Sequence, residues 1–372
     1  LHIGNGYLGA SFYGQIAEER FDVTEKSIWT GGPGENPNYR HGIRPGGKEF
    51  IDQVRQAVVS GDVATADALC RRHFTGDYKG FGHLSMIGNL RFAFDDHQGV
   101  SSEYLRELDL SKSLARVSYK MDGRAYSREY FCSYPDRVMV IRFAAKEPGS
   151  LGFELRHDLT QKAGVVEATD DEIRVSGAVD GNNRRYCVKL KVLNEGGKVT
   201  AHKDRLRVNG ADAATIVYAA ATEYLPTPPN YKGADPGALT RVQLDAAALK
   251  GYAELKKSHT ADYRRLYDRV KLTLPGDPAM ESQPSNKRRE ALQSGHADDT
   301  GLKVLLFNLG RYLIISASRP GTLPSHLQGA WNGFAEAPWN GNYQSNINLQ
   351  EMYWPCGPVN LLECQEPYID WI

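Results

Sequence analysis

The sequence predicts a multidomain β + α fold: an N-terminal antiparallel β-sandwich over residues 1–240, a helical linker over 241–299, and the first helices of an all-α barrel, incomplete, over 300–372. Three observations predict it. From Leu1 to about Leu225, short runs of β-branched and aromatic residues alternate with period two between Gly, Asp and Asn. A Pro/Gly/Asn cluster from Pro226 to Pro236 ends that pattern. Beyond it the apolar residues recur at helical spacing, and a chain of 372 residues is long enough for two domains with sizeable cores.

The first segment, Gly4-Asn5-Gly6-Tyr7-Leu8-Gly9, satisfies G-x-G-x-x-G, which holds a pyrophosphate only where a strand feeds a helix N-terminus. Here it leads into Ala10-Ser11-Phe12-Tyr13-Gly14, which alternates like a strand, so it reads as a glycine-rich start to a β segment. Trp29-Thr30-Gly31-Gly32-Pro33-Gly34 reads as a structural turn, of the kind that can also reach a neighbouring domain from a sandwich end. Phe50, Val54, Ala57 and Val58, then Ala64, Ala68, Leu69 and Cys70, lie at helical spacing around Gly61-Asp62, which predicts a two-helix insertion over about 47–73. Leu114 to Tyr119 and Ala125 to Phe131 flank Asp122-Gly123, whose residues accept the positive φ of a tight hairpin. Val138 to Phe143, Gly152 to Leu155, Ile173 to Val175, Tyr186 to Leu193, Leu206 to Val208 and Thr215 to Ala220 continue the strands at the spacing of a large sandwich.

The linker holds a helix from about Ala246 to Tyr267, rich in Ala, Leu and Lys. Pro275-Gly276-Asp277-Pro278 and the polar run Glu281 to Asp299 separate it from a strongly apolar helix, Gly301 to Ser318. Arg319-Pro320-Gly321 breaks that helix, an irregular segment runs to about Ser345, and a second helical pattern starts near Leu349. Helix, long loop, helix is the pattern of an all-α toroid, and two such helices cannot bury their inward faces alone. More chain or a partner is expected to pack there.

Lysine plus arginine equals aspartate plus glutamate at 45 each, which argues against nucleic acid or an anionic membrane as partner and suits a neutral substrate. The five cysteines are scattered with no C-x-x-C pair and read as buried thiols. His259, His296 and His326 sit singly, with no H-x-H or H-E-x-x-H spacing, so neither a metal nor another cofactor is expected. No run approaches the ~20 apolar residues that span a bilayer, and no signal peptide opens the chain at Leu1. Localisation and oligomeric state stay open on these grounds.

The richest segment runs from Gln328 to Trp354. Four of the five tryptophans lie after residue 330, and amide side chains stand among them. Indole faces stack on the C–H faces of sugar rings while amides donate to and accept from hydroxyls. Gln328, Trp331, Asn332, Trp339, Gln344 and Trp354 are therefore candidate substrate-binding residues. The bland alternative is an interface loop whose tryptophans pack on the sandwich. Asn346 and Asn348 project to one side if the segment is extended, as expected of a pair sharing one ligand. Glu351 turns about 100° per residue away on a following helix and reads as structural.

These residues resemble glycoside hydrolase family 95, chiefly α-L-fucosidases with some α-L-galactosidases, and the likeness extends over essentially the whole chain. Ile3-Gly4-Asn5-Gly6-Tyr7-Leu8-Gly9 with Glu25, Trp29, Gly31, Gly32 and Pro33 is similar to the family's N-terminal β domain. Arg128-Glu129-Tyr130-Phe131 and Ser133-Tyr134-Pro135 look like its next landmark. Ser318-Arg319-Pro320-Gly321-Thr322-Leu323-Pro324, Leu327-Gln328-Gly329 and Trp331-Asn332 resemble the start of its (α/α)6 barrel. The resemblance implies an inverting exo-acting hydrolase that removes terminal α-L-fucosyl residues from glycans and is secreted or periplasmic. It places the family's N-x-N pair on Asn346 and Asn348, which orient water with a downstream aspartate while a downstream glutamate is the acid, both expected beyond Ile372. After Gln350 the family continues with methionine and asparagine where this chain has Glu351 and Met352, which leaves the sugar preference open. The rival readings are an α-L-galactosidase on the same scaffold and a truncated, non-catalytic carbohydrate-binding protein.

Overall fold

The computed structural model describes residues 1–32, 42–76, 81–295 and 298–372. Pro33, Gly34 and His296, named above, lie outside the described residues.

Among the described residues the strands form two antiparallel sheets, as the period-two pattern predicts. The first, of seven strands, has the order β1 (His2–Gly4), β2 (Leu8–Phe12), β3 (Glu18–Glu25), β4 (Gly88–Phe94), β9 (Leu151–Leu159), β14 (Arg205–Ala211), β13 (Lys198–His202). The second, of eight, has the order β10 (Val165–Thr169), β11 (Glu172–Ala178), β12 (Arg185–Glu195), β15 (Ala213–Thr222), β8 (Val138–Ala145), β7 (Arg124–Ser133), β6 (Leu114–Met121), β5 (Ser101–Asp109). The hairpin between β6 and β7 turns on Asp122 (φ 48°) and Gly123 (φ 81°), with Met121 paired to Arg124. Both central residues sit at the positive φ of a type I′ turn, whose twist matches the flanking strands.

Side chains from both sheets, among them Phe21, Phe92, Tyr130, Phe143, Phe153, Leu190 and Tyr218, meet in one buried core. Strands β8 and β15 are apolar on both faces, and the second face is explained by a helix. Helix α3 (Pro236–Tyr267) covers the outer side of the eight-stranded sheet, with Leu244, Ala247 and Leu255 against Phe131, Val138, Val140, Val217 and Ala219. The helix begins at Pro236, earlier than its apolar periodicity suggests. Asp235 caps it by accepting from the Ala238 N–H, and Pro236 occupies the first turn, where no N–H is needed. It is broken at Gly251, which has φ 68°.

Helices α1 (Ile51–Val59) and α2 (Val63–His73) stand between β3 and β4, and Asp62 caps α2 through the Thr65 N–H. The polar run after Pro275 contains the short helices α4 (Pro278–Glu281) and α5 (Ser285–Gln293). The closing region holds α6 (Thr300–Ala317), α7 (Asn348–Tyr353) and α8 (Glu366–Trp371). Their apolar faces share a second core with the end of α3, through Tyr263, Leu266, Tyr312, Ile315, Leu349 and Tyr353. Among the described residues these helices do not close a ring. None is long and apolar enough to cross a membrane. All five cysteines are free thiols, four buried and Cys70 partly exposed.

Candidate functional site

The segment between α6 and α7 is irregular, so its backbone polar groups need partners outside regular ladders. They find them on the sandwich and on the neighbouring helical segments. The buried Lys26 ammonium donates to Ala317 O at 2.7 Å and also to Leu323 O. Arg319 holds Asp262 through two contacts of 2.9 and 2.8 Å, and its guanidinium lies 4.0 Å from the centre of the Tyr134 ring. The Tyr134 hydroxyl donates to Pro320 O at 2.9 Å. Ser318 Oγ donates to Cys364 O at 2.8 Å, and the Tyr353 hydroxyl accepts from the Ser325 N–H at 2.7 Å.

The opening G-x-G-x-x-G serves this same seam. A Cβ on Gly9 would stand 1.9 Å from Ala330 O, and one on Gly4 would stand 2.7 Å from Ser316 O. Bare backbone there lets Trp331 lie on β1, where its indole N–H donates to Ile3 O at 2.7 Å. Asn332 is tied by a reciprocal pair with Thr24, whose hydroxyl accepts from the Asn332 N–H at 3.1 Å and donates to Asn332 O at 3.0 Å. Its own amide spans Phe334, donating to the carbonyl and accepting from the N–H. Gln328 donates to Pro338 O at 2.9 Å, while its Oε1 is buried without a partner.

The structure thus sorts the candidate residues. Gln328, Trp331 and Asn332 face inward and hold the segment's shape. Trp339 and Trp354 are 77% and 62% exposed. Gln344, Asn346 and Asn348 share one short stretch with the chain reversing between them, and both asparagines are exposed. The segment is not extended: residues 345–347 form a turn and Asn348 opens α7, so the period-two argument for a common side does not apply. What unites the two asparagines is the turn, closed by the Leu349 N–H donating to Gln344 O at 3.3 Å and by Gln350 reaching back to Ser345 O. Leu349 is fully buried and anchors it. Glu351 is exposed one turn into the helix.

Electrostatically, the neighbourhood is dominated by burial. Burial pushes the Glu25 carboxyl up to about 7 against the pull of its bonds from Ser27, and pushes His326 down to about 3, beside the Lys26 cation. Exposed neutral amides on the turn can donate to and accept from hydroxyl groups, but have no basic site to take a proton near neutral pH. Among the described residues no group of three or more His, Cys, Asp or Glu is placed to hold a metal.

Sequence reasoning missed a cleft beside this turn, lined by Trp29, Arg184, Tyr224, Asn342, Tyr343 and Trp371, with a volume of about 210 Å³. Trp29 carried a signal as the aromatic of a turn-rich segment, and Asn342 and Tyr343 lie within the stretch from Gln328 to Trp354, whereas Arg184, Tyr224 and Trp371 carried none.

Comparison with known proteins adds the following. A family model described as glycosyl hydrolase family 65, N-terminal domain, matches residues 1–227, and one described as glycosyl hydrolase family 95 catalytic domain matches residues 251–372. "Alpha-L-fucosidase 2" of Arabidopsis thaliana is 32% identical, with 100% of this chain and 47% of that protein aligned. "Probable alpha-fucosidase A" of Aspergillus niger is 31% identical, with 98% and 47% aligned. The chain therefore spans about half the length of the curated relatives it matches. A solved structure described as "Putative kojibiose phosphorylase from human microbiome" superposes with a TM-score of 0.52 over 91% of this chain and 42% of that one at 10% identity, a likeness of fold alone.

Proposed function

Since the chain belongs to glycoside hydrolase family 95, we propose that it carries the sugar-holding part of an inverting, exo-acting α-L-fucosidase that removes terminal α-L-fucosyl residues from glycans. The observation that carries this reading is the turn from Gln344 to Asn348. It presents two exposed carboxamides on an irregular segment that is fixed at both ends by buried contacts.

In an inverting hydrolysis one carboxylic acid protonates the leaving oxygen and a carboxylate activates water on the opposite face of the ring. Asn346 and Asn348 cannot fill either role, because an amide does not exchange a proton near neutral pH. Their part is to accept from and donate to the attacking water and the sugar hydroxyls, which restricts the water to one face of the ring. The acid and base are assigned to carboxyl groups of the remainder of the catalytic domain, in keeping with relatives about twice as long. The exposure of Trp339 and Trp354 supports a reading in which they and Gln344 meet the glycan, while Gln328, Trp331 and Asn332 hold the segment from beneath.

The test is release of the aryl group from aryl α-L-fucoside and aryl α-L-galactoside by the protein with its complete catalytic domain. Turnover of the fucoside is expected; turnover of neither glycoside, with retained sugar binding, would sink the hydrolase reading. In that protein Asn346→Ala or Asn348→Ala is expected to lower kcat by about 10²-fold, the scale of losing one preorganised polar contact to the reacting centre. A near-normal kcat in both variants would refute the water-positioning role.

A further inference from the structure

The cleft beside the asparagine turn is built from both halves of the chain. Trp29 and Tyr343 stack with ring centres 5.9 Å apart and planes at 28°, and Tyr343 meets Trp371 at 5.1 Å. These rings give the cleft an apolar aromatic wall. One polar group of the lining is charged, the Arg184 guanidinium, which donates to Tyr231 O at 2.6 Å and lies 5.6 Å from the centre of the Tyr224 ring. The others are neutral, the Tyr224 and Tyr343 hydroxyls among them, and Asn342 Oδ1 is buried without a partner among the described residues. An aromatic wall with a few converging hydroxyl and amide groups is the chemistry that recognises an uncharged sugar ring. At about 210 Å³ the cleft is smaller than the ~300–1,000 Å³ of drug-sized sites, a scale suited to one ring.

The Trp29 wall is held rigidly. Its indole N–H donates to Lys26 O at 3.2 Å, and the Asn182 amide donates to Trp29 O and Gly31 O at 2.6 and 3.1 Å. Residues 81–84 press on the same loop so closely that a Cβ on Gly82 would stand 2.3 Å from the Gly31 nitrogen. The other wall is continuous with the asparagine turn. Asn346 lies three positions after Tyr343, so their Cα atoms are at most about 11 Å apart, the span of two adjoining sugar rings.

We propose that this cleft binds the sugar ring to which the terminal fucosyl residue is attached, so that the β domain, through Trp29 and Tyr224, selects the glycan on the leaving-group side. The proposal rests on the reading of Asn346 and Asn348 as the terminal-sugar site. A ring seated against Trp29 and Tyr343 would satisfy both phenol hydroxyls and leave its glycosidic oxygen directed toward the turn.

The test uses two substrates of the protein with its complete catalytic domain. α-L-Fucosyl fluoride has no sugar on the leaving-group side, whereas an α-L-fucosyl-galactose disaccharide has one. Trp29→Leu is expected to lower the ratio of kcat/KM for the disaccharide to that for the fluoride by about 10-fold or more, mainly through KM. Tyr224→Phe and Tyr343→Phe, which remove only a hydroxyl and keep the ring packing, are expected to lower it by about 5-fold each. An unchanged ratio in the two phenylalanine variants overturns the subsite, whether Trp29→Leu folds or not, and so does an equal loss on both substrates. If the unsubstituted protein turns over neither substrate, the fucosidase reading fails and the subsite falls with it.

Discussion

His157, His259 and His326 are buried as neutral rings. His259 Nε2 faces Lys112 O and Ser113 O at 3.1 and 3.0 Å, His157 Nε2 meets the Tyr218 hydroxyl at 3.1 Å, and His326 Nδ1 accepts from the Gln328 N–H at 3.2 Å. Burial pushes their pKa values down from 6.5 to about 4 for His157 and His259 and to about 3 for His326. A depressed value means that the unfolded chain binds more protons between pH 6.5 and 4. Their contribution to stability is therefore complete above pH 6.5 and is lost as the pH falls toward 4. Glu25 acts in the opposite sense: pushed up to about 7 by burial, it contributes fully below about pH 4.5 and loses that contribution as the pH rises toward 7. His259→Gln removes one of these histidine protons, to which His2 and His97, also pushed down by burial, add. The slope of unfolding free energy against pH between 4 and 6.5 is expected to fall by about 1.4 kcal/mol per pH unit in that variant. Urea titrations at several pH values check this, and an unaltered slope would show that His259 is not the neutral ring described. All three histidines are plain in the sequence, but not their burial, which comes from contacts 61 to 147 residues distant for His157 and His259.

At the scale of elements, the strands that the sequence shows and those it hides differ for a physical reason. β8 and β15 lie in the middle of their sheet with both faces covered, so they read as nearly continuous apolar runs, interrupted by Arg142 in β8 and Thr215 in β15. β5 and β13 are sheet edges with exposed charged residues such as Glu103, Arg106 and Lys198, and they lack the alternation that marks a half-buried strand, while the edge strand β10 alternates over only five residues, with Val166 and Ala168 turned to the core. The G-x-G-x-x-G segment gives a sharper contrast. Its glycines resemble a nucleotide motif but admit the backbone of residues 316 and 330 to van der Waals contact with β1 and β2. Gly9→Ala is expected to destabilise the protein by about 3 kcal/mol, because the new methyl group overlaps Ala330 O and the strand or the loop must shift. Gly310→Ala is its control, since a Cβ at that position of α6 meets nothing within 4 Å. It is expected to be neutral or to stabilise by up to about 1 kcal/mol through helix propensity. Equal denaturation midpoints for the two variants would contradict the close approach.

Over the whole molecule, the sandwich and the helices are joined by buried contacts of several kinds. Lys26 donates to carbonyls after α6, Trp331 to β1, the Tyr312 hydroxyl to His2 O at 2.6 Å, and Arg319 pairs with Asp262 near the end of α3. Opening this seam would exchange these hydrogen bonds for bonds to water at a net cost of about 0.5–1.5 kcal/mol each, and would expose the apolar surface packed around them. The two halves are therefore expected to unfold together. Tryptophan fluorescence, dominated by the four indoles after residue 330, and far-ultraviolet circular dichroism, which reports the sheets as well, should give coincident thermal transitions. Two separated transitions would show that the seam is weaker than its contacts imply.

The sequence by itself determined the sandwich, the helical region after it and the residues of the asparagine turn. Period-two and helical patterns are local, and Asn346 and Asn348 lie two positions apart in the chain. The resemblance that names the family rests on equally local strings. Tertiary structure alone decided which of the amides and indoles face outward. Trp331 and Asn332 have the same side-chain chemistry as Trp339 and Asn346, yet the side chains of the first two are spent on Ile3 and Phe334. It also decided the cleft, whose walls come together from residues 29, 224 and 343. Contacts at such separations depend on how two sheets and a loop close on one another, and no periodicity along the chain records that.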